Sequence, residues 1–124
     1  MSTNRMLWGL RGAVTVEADE AQLIVEATER LLVSIMDRND VAAEEVVSVI
    51  FTSTTDLTSE FPAAAARRIG LADVPLLCAT EIPVPGAIGR CVRVLMHVYT
   101  KREREELRHV YLGGARALRT DLAE

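Results

Sequence analysis

The run Cys91-Val92-Arg93-Val94-Leu95-Met96-His97-Val98-Tyr99 constrains the fold more than any other stretch, because it has the composition of a strand and carries an arginine among apolar residues. Strand parity puts Val92, Val94, Met96 and Val98 on one face, where β-branched side chains suit a packed sheet. Cys91, Arg93, Leu95, His97 and Tyr99 fall on the other. The first face is core and the second is mixed. Arginine does not shed its charge in a protein, and an unpaired buried charge costs several kcal/mol or more. Arg93 must therefore reach water, a carboxylate or a bound anion.

A second arginine is set in a similar way. Residues 7 to 16, Leu-Trp-Gly-Leu-Arg-Gly-Ala-Val-Thr-Val, read as a strand whose Gly9 and Gly12 allow close backbone approach on either side of Arg11. Asp19 with Gln22 three residues on resembles a capping box. Leu23, Ile24, Ala27, Leu31 and Ile35 follow at helical spacing, predicting a helix that ends near 37–39. After a short helical turn at 41–45, Val46 to Phe51 reads as a buried strand and Thr52 to Asp56 as a polar loop. Phe61-Pro62 opens a second, alanine-rich helix that Gly70 closes, with Arg67 on the face of Ala63 and Ala64. Pro75 to Glu81 is a third strand, and the prolines at 83 and 85 force a loop before the Arg93 strand. Cys78 and Glu81 are three apart, so a regular strand points them to opposite faces; only a bulge or break lets both line one pocket. Lys101 to Arg108 is a mixed-charge solvated turn, and Val110 to Leu112 a short strand ended by Gly113-Gly114. About five strands and two main helices imply an α/β (α+β) domain with a mixed sheet, and no linker divides residues 1–124, so a single domain is expected.

Composition excludes several function classes. The formal net charge is -4 and no basic patch interleaves with aromatics, which argues against nucleic acid. No apolar run is long enough for a membrane span, and the N-terminal stretch lacks a signal-peptide core. The two cysteines, Cys78 and Cys91, form neither a disulfide framework nor a close metal-ligand pair, which suits a cytoplasmic protein. There is no Ser-His-Asp pattern, phosphate-cradling loop or HExxH, so hydrolytic, NTP-dependent and zinc chemistry have no support, and neither metal nor cofactor is expected.

Gly9-Leu10-Arg11-Gly12-Ala13-Val14-Thr15-Val16-Glu17, Phe61-Pro62-Ala63 with Arg67, Cys78 with Glu81, Cys91-Val92-Arg93-Val94 and Arg108-His109-Val110-Tyr111-Leu112 together resemble the monofunctional AroH class of chorismate mutase, in order and spacing over nearly the whole chain. The resemblance implies a homotrimeric pseudo-barrel, active sites at subunit interfaces, and conversion of chorismate to prephenate. By the same resemblance Arg93 meets the ether oxygen of the breaking bond and a substrate carboxylate, while Arg11 and Tyr111 of the same subunit bind carboxylate. Arg67 and Phe61 come from the neighbouring subunit. Glu81 and the backbone around Cys78 take the ring hydroxyl, with the Cys78 side chain on the same wall. Leu118 begins a tail that lies near the site mouth. This chain departs from some relatives at Ala64, where they carry lysine, and at Leu77, where they carry a hydroxyl. It departs also at Lys101 to Glu106 and at Thr120. The rival reading is a trimeric sensor that binds an aromatic-pathway carboxylate without turning it over.

Overall fold

The computed structural model describes residues 5–118. The strands are β1 (Met6–Thr15), β2 (Val46–Ser53), β3 (Leu76–Thr80), β4 (Cys91–Thr100) and β5 (Val110–Leu112); the helices are α1 (Ala21–Arg38) and α2 (Ala64–Arg68). They form a 5-stranded sheet in the order β3-β2-β4-β1-β5. β4 runs antiparallel to both of its neighbours, and the two outer pairs, β2 with β3 and β1 with β5, are parallel. The mixed sheet with helices expected from the sequence is thus the observed architecture, with the Arg93 strand at its centre.

Strand parity holds. Val92, Val94, Met96 and Val98 are all buried, with Leu10 and Val14 of β1 beside them and Val49 and Phe51 of β2 beyond. α1 covers this face with Ile24, Ala27, Leu31, Leu32 and Ile35, whose spacing keeps them on one stripe. The opposite face carries no long helix among the described residues: a 3-10 turn at Gly113–Leu118 packs Ala115 against Ala13, Cys91 and Tyr111, while Arg93, Leu95 and His97 of β4 and Ile50 of β2 stay half-exposed.

Gly12 is where this packing is tightest. A Cβ at that position would stand 2.7 Å from Ile35 Cδ1, 2.9 Å from Leu31 Cδ1 and 3.0 Å from the Val110 carbonyl oxygen, so the glycine sets how closely β1, α1 and β5 approach. The two leucine and isoleucine tips can shift, but the carbonyl cannot. Gly12→Ala is therefore expected to destabilise the fold by about 1–3 kcal/mol, the usual cost of overpacking a core. Denaturant unfolding measures this, and an unchanged midpoint would mean that α1 retreats freely.

Three local expectations are corrected. Asp19 does not cap α1: the N-cap residue is Glu20 and makes no side-chain cap bond. The Asp19 carboxylate instead accepts from the Thr58 N–H and hydroxyl and the Ser59 N–H, at 2.9, 2.9 and 3.0 Å. The partners of a carboxylate so far along the chain are invisible to a rule that looks only three residues ahead. Thr52 and Ser53, read as loop, continue β2, because Thr52 and Ser53 pair with both β4 and β3. The helix after Phe61-Pro62 is shorter than expected, with Ala63 as its N-cap residue and α2 proper starting at Ala64. It does end as expected, at Gly70 with φ 87°, and the Leu71 N–H returns to the Ala66 carbonyl.

The charged block after β4 is structural. Trp8 Nε1 donates to the Arg102 carbonyl at 3.0 Å and Arg104 lies over the Trp8 ring at 4.9 Å. Buried Asn39, just beyond α1, donates to the Ile35 and Arg108 carbonyls and accepts the Arg108 N–H at 2.7 Å. One amide thereby closes the helix and fixes the approach to β5.

Candidate active site

Cross-strand pairing assembles the site. The partners Tyr111–Ala13, Ala13–Arg93, Arg93–Thr52 and Thr52–Ala79 form one continuous row over β5, β1, β4, β2 and β3, and side chains of directly paired residues point to the same side of a sheet. Arg11, Leu95, Ile50 and Leu77 form the next row on that face. A bulge between Val46 and Ser48 makes this register possible, since Val47 is the extra residue that brings Ile50 opposite Leu95 and Thr52 opposite Arg93. Ala13, small and fully buried, separates Tyr111 from Arg93. Arg11, Arg93, Tyr111 and Leu118 then line a single cavity of about 380 Å³, together with Ile50, Thr52 and Leu95. That volume falls within the roughly 300–1,000 Å³ of small-molecule sites.

Arg93 and Glu81 meet within one chain. Arg93 Nε stands 2.9 Å from Glu81 Oε2, though the N–H is not aligned as a hydrogen bond, so the contact is chiefly coulombic. The terminal nitrogens of Arg93 have no partner among the described residues and can fork onto a ligand. Glu81 Oε2 also accepts the Thr52 hydroxyl at 2.6 Å. Glu81 does not itself line the cavity but meets it through Arg93 and Thr52. The Arg11 side chain likewise has no partner among the described residues. Its backbone N–H donates to His109 Nδ1 at 3.0 Å, so the imidazole extends the β5 ladder one position beyond Val110 and carries any neutral-form proton on Nε2.

Cys78 and Phe61 lie elsewhere. β3 stays regular past its end, with the Glu81 N–H bonded to the Ser53 carbonyl, so no break turns Cys78 toward Glu81. Cys78 pairs with core-facing Phe51, and its thiol shares a cleft of about 300 Å³ with Phe61, Ser53 and Thr58. Phe61 is 69% exposed there. Asp19 holds the 58–59 turn that leads into Phe61, and the Thr58 amide donating to its carboxylate keeps that carboxyl below its ordinary range. Arg67 is exposed on α2 and has no partner among the described residues. Within one chain, then, these residues divide into an Arg93 cavity, a Phe61–Cys78 cleft, and Arg67 apart from both.

The partners of two further groups, Asp56 and Gly113, were not signalled by the sequence. Asp56 accepts the Thr54 hydroxyl at 2.6 Å and the Arg90 N–H at 3.0 Å, fixing the turn into β4; the Thr54 hydroxyl is the main reason its carboxyl lies below the ordinary value. Gly113, at φ 61°, could not carry a Cβ, which would come within 2.8 Å of Thr15 Oγ1. The Gly114 N–H bonds that same hydroxyl, and together they turn the chain so that Leu118 reaches the cavity. The remainder of the tail, 119–124, lies outside the described residues, as does Thr120. Cys91, fully buried beneath the row, is no nucleophile: burial pushes its thiol up to about 11.

A larger concavity of about 930 Å³ lies between α1 and the end of β1, and it is lined by Glu17, Glu26 and Glu29 as well as Arg30 and Arg68. Arg68 is tied to Glu29 at 3.1 Å. Three carboxylates, one of them already neutralising Arg68, suit an anion poorly, and the smaller cavity, where the cationic or hydroxyl side chains of Arg11, Thr52, Arg93 and Tyr111 converge, is the better candidate. No cluster of metal-ligating side chains exists among the described residues.

A sequence model of the family chorismate mutase type I matches residues 7–122. The chain belongs to that family. Chorismate mutase AroH of Thermus thermophilus is 50% identical over 118 residues, covering 94% of this chain and 97% of the relative. Chorismate mutase AroH of Bacillus subtilis is 40% identical over 119 residues, or 95% and 94% of the two chains. A chorismate mutase from Clostridium thermocellum has a solved structure that superposes with a TM-score of 0.87 at 43% identity, covering 89% of this chain and 98% of that one. The family match spans both the Arg93 cavity and the Phe61–Cys78 cleft.

Proposed function

We propose that this chorismate mutase family member is an isomerase that rearranges chorismate to prephenate in phenylalanine and tyrosine biosynthesis, without cofactor or metal. The observation that carries the site assignment is Arg93: an arginine at the centre of a sheet, held at Nε by Glu81, with its terminal nitrogens open to a cavity shared with Arg11 and Tyr111. A Claisen rearrangement moves electrons within one molecule. It requires no nucleophile or proton donor, only a folded substrate and stabilised charge on the ether oxygen as its bond to carbon breaks. Restriction of the substrate and preorganised dipoles supply both. Arg11 and the Tyr111 hydroxyl hold carboxylate and fix the enolpyruvyl arm over the ring. Arg93 meets the ether oxygen and a carboxylate, and its planar fork keeps both contacts in fixed geometry. Glu81, whose Oε1 has no donor among the described residues, accepts the ring hydroxyl.

The working unit in this proposal is a homotrimer. Three features support it: the uncovered sheet face around Ile50 and Leu95, the exposed Leu77 (60%) and Ile82 (82%), and the separation of Phe61, Cys78 and Arg67 from Arg93 within one chain. A neighbouring subunit that presents its Phe61–Cys78 cleft and Arg67 to the Arg93 cavity closes the pocket and supplies another cation. The single domain works in the cytoplasm, where both free thiols remain reduced. No helix among the described residues is long and apolar enough to cross a membrane.

Purified protein given chorismate alone is expected to consume it and yield prephenate stoichiometrically, followed by absorbance and by identification of the product. Tight binding without turnover would favour the sensor.

A further inference from the structure

We infer that Thr52 is a positioning residue for the rearrangement, acting through Glu81 to fix the Arg93 guanidinium. This inference rests on the placement of Arg93 and Glu81 in the active site. Thr52 stands directly across from Arg93 in the β2–β4 register and across from Ala79 in the β2–β3 register. Glu81 is two residues beyond Ala79, and its N–H continues the ladder onto Ser53, so its side chain rises on the same face as Thr52 and Arg93. The three side chains converge on one atom. Glu81 Oε2 receives the Thr52 hydroxyl at 2.6 Å and faces Arg93 Nε at 2.9 Å.

That convergence has a specific consequence. A carboxylate held only by the imperfectly aligned Arg93 contact is free to rotate or exchange its two oxygens, and the guanidinium turns with it. The Thr52 hydroxyl supplies a short, charge-assisted bond from a β-branched side chain whose χ1 is stiff. It pins Oε2 in one place, which directs Nε toward the protein and leaves the terminal nitrogens facing the cavity. Glu81 is the more buried partner, with 17% of its side chain exposed against 42% for Arg93, so the network is anchored on its protein side and open on its ligand side. Thr52 also lines the cavity, which raises the alternative that its hydroxyl binds substrate directly. The bond to Glu81 already uses its only proton, and the further interaction it could offer is as an acceptor, toward a ligand rich in acceptors.

The test is a set of kinetic measurements on the full chain. Thr52→Val keeps shape and strand preference but removes the hydroxyl; it is expected to lower kcat about tenfold with KM changed less than about twofold, since a hydrogen bond to a charged group carries about that factor. Thr52→Ser restores the hydroxyl and is expected to return most of kcat. In a Glu81→Ala background, Thr52→Val is expected to change kcat by no more than about twofold, because the group through which it acts is gone. An unchanged kcat in Thr52→Val, a loss confined to KM, failure of Thr52→Ser to rescue, or effects of Thr52→Val and Glu81→Ala that multiply would each overturn the inference. Parallel assays of Glu81→Ala and Arg93→Lys separate this from the underlying assignment: if those two variants turn over normally, the site itself is misplaced, whereas if they are impaired and Thr52→Val is not, only the role of Thr52 falls.

Discussion

Arg93→Lys is expected to lose at least about 10²–10³ in kcat while its melting temperature stays close to that of the unaltered chain. The kinetic part follows from what the site must do. Negative charge grows on the ether oxygen during bond breaking, and the loss of one preorganised donor to such an oxygen typically costs about that factor. Lysine keeps a unit charge but replaces a rigid fork with a single flexible point, so one of the two oxygen contacts disappears and the other loses its geometry. The stability part follows from the environment of Arg93. Its side chain is 42% exposed and touches Glu81 through one poorly aligned contact, and ion pairs of that kind contribute little, about 0–1 kcal/mol. A protein-internal role for Arg93 makes the opposite forecast: a lowered melt with kcat intact in the folded fraction. Melting and turnover measured on the same preparations therefore distinguish a residue that serves the reaction from one that serves the fold.

How far the sequence led depends on whether the deciding interaction is periodic or distant. The two faces of β4 were legible because alternation is a local property, and so was the α1 stripe from Ile24 to Ile35. Gly12 was legible too, as a place where the backbone must come close, although its partners Ile35, Leu31 and Val110 were not. Interactions between segments far apart in the chain were hidden. Asp19 has the right identity and spacing for a cap, yet it serves the turn before Phe61, 39 residues away. Thr52 read as loop because threonine and serine are common there, but pairing on both sides makes it a central-strand residue. The bulge at Val47 leaves no sequence mark, and without it Thr52 would not face Arg93. Arg11, Arg93, Tyr111 and Leu118 line one cavity. The physical pattern alone had offered Arg93 a choice of water, carboxylate or anion. The structure answers with a carboxylate at Nε, and the terminal nitrogens have no partner among the described residues.

The separation of Arg67 from the Arg93 cavity leads to the second large effect, complementation between two impaired variants. In the proposed homotrimer, the Arg67→Ala and Arg93→Ala variants each lack one cation at every site. Each cation would pair with a substrate anion in the closed site, and removing one partner of such a charge pair typically costs about 2–5 kcal/mol, so both variants should be strongly impaired in kcat/KM. If a site takes Arg93 from one subunit and Arg67 from its neighbour in a head-to-tail ring, subunits unfolded together at equal amounts and refolded as mixed trimers regain intact pairings. With random assembly, about one site in four draws Arg93 from an Arg67→Ala chain and Arg67 from an Arg93→Ala chain. The refolded mixture should then recover about a quarter of the activity of the unaltered trimer, far above either parent. Recovery should also need subunit exchange, so mixing the two folded trimers without unfolding should give only the sum of the parents at first. Activity that stays at that sum after co-refolding would mean that Arg67 and Arg93 do not meet across an interface. The exposed Phe61 and the uncovered face around Leu95 would then need another explanation than a shared site. A quarter-recovery would show that Arg67 of one subunit completes the site that holds Arg93 of its neighbour.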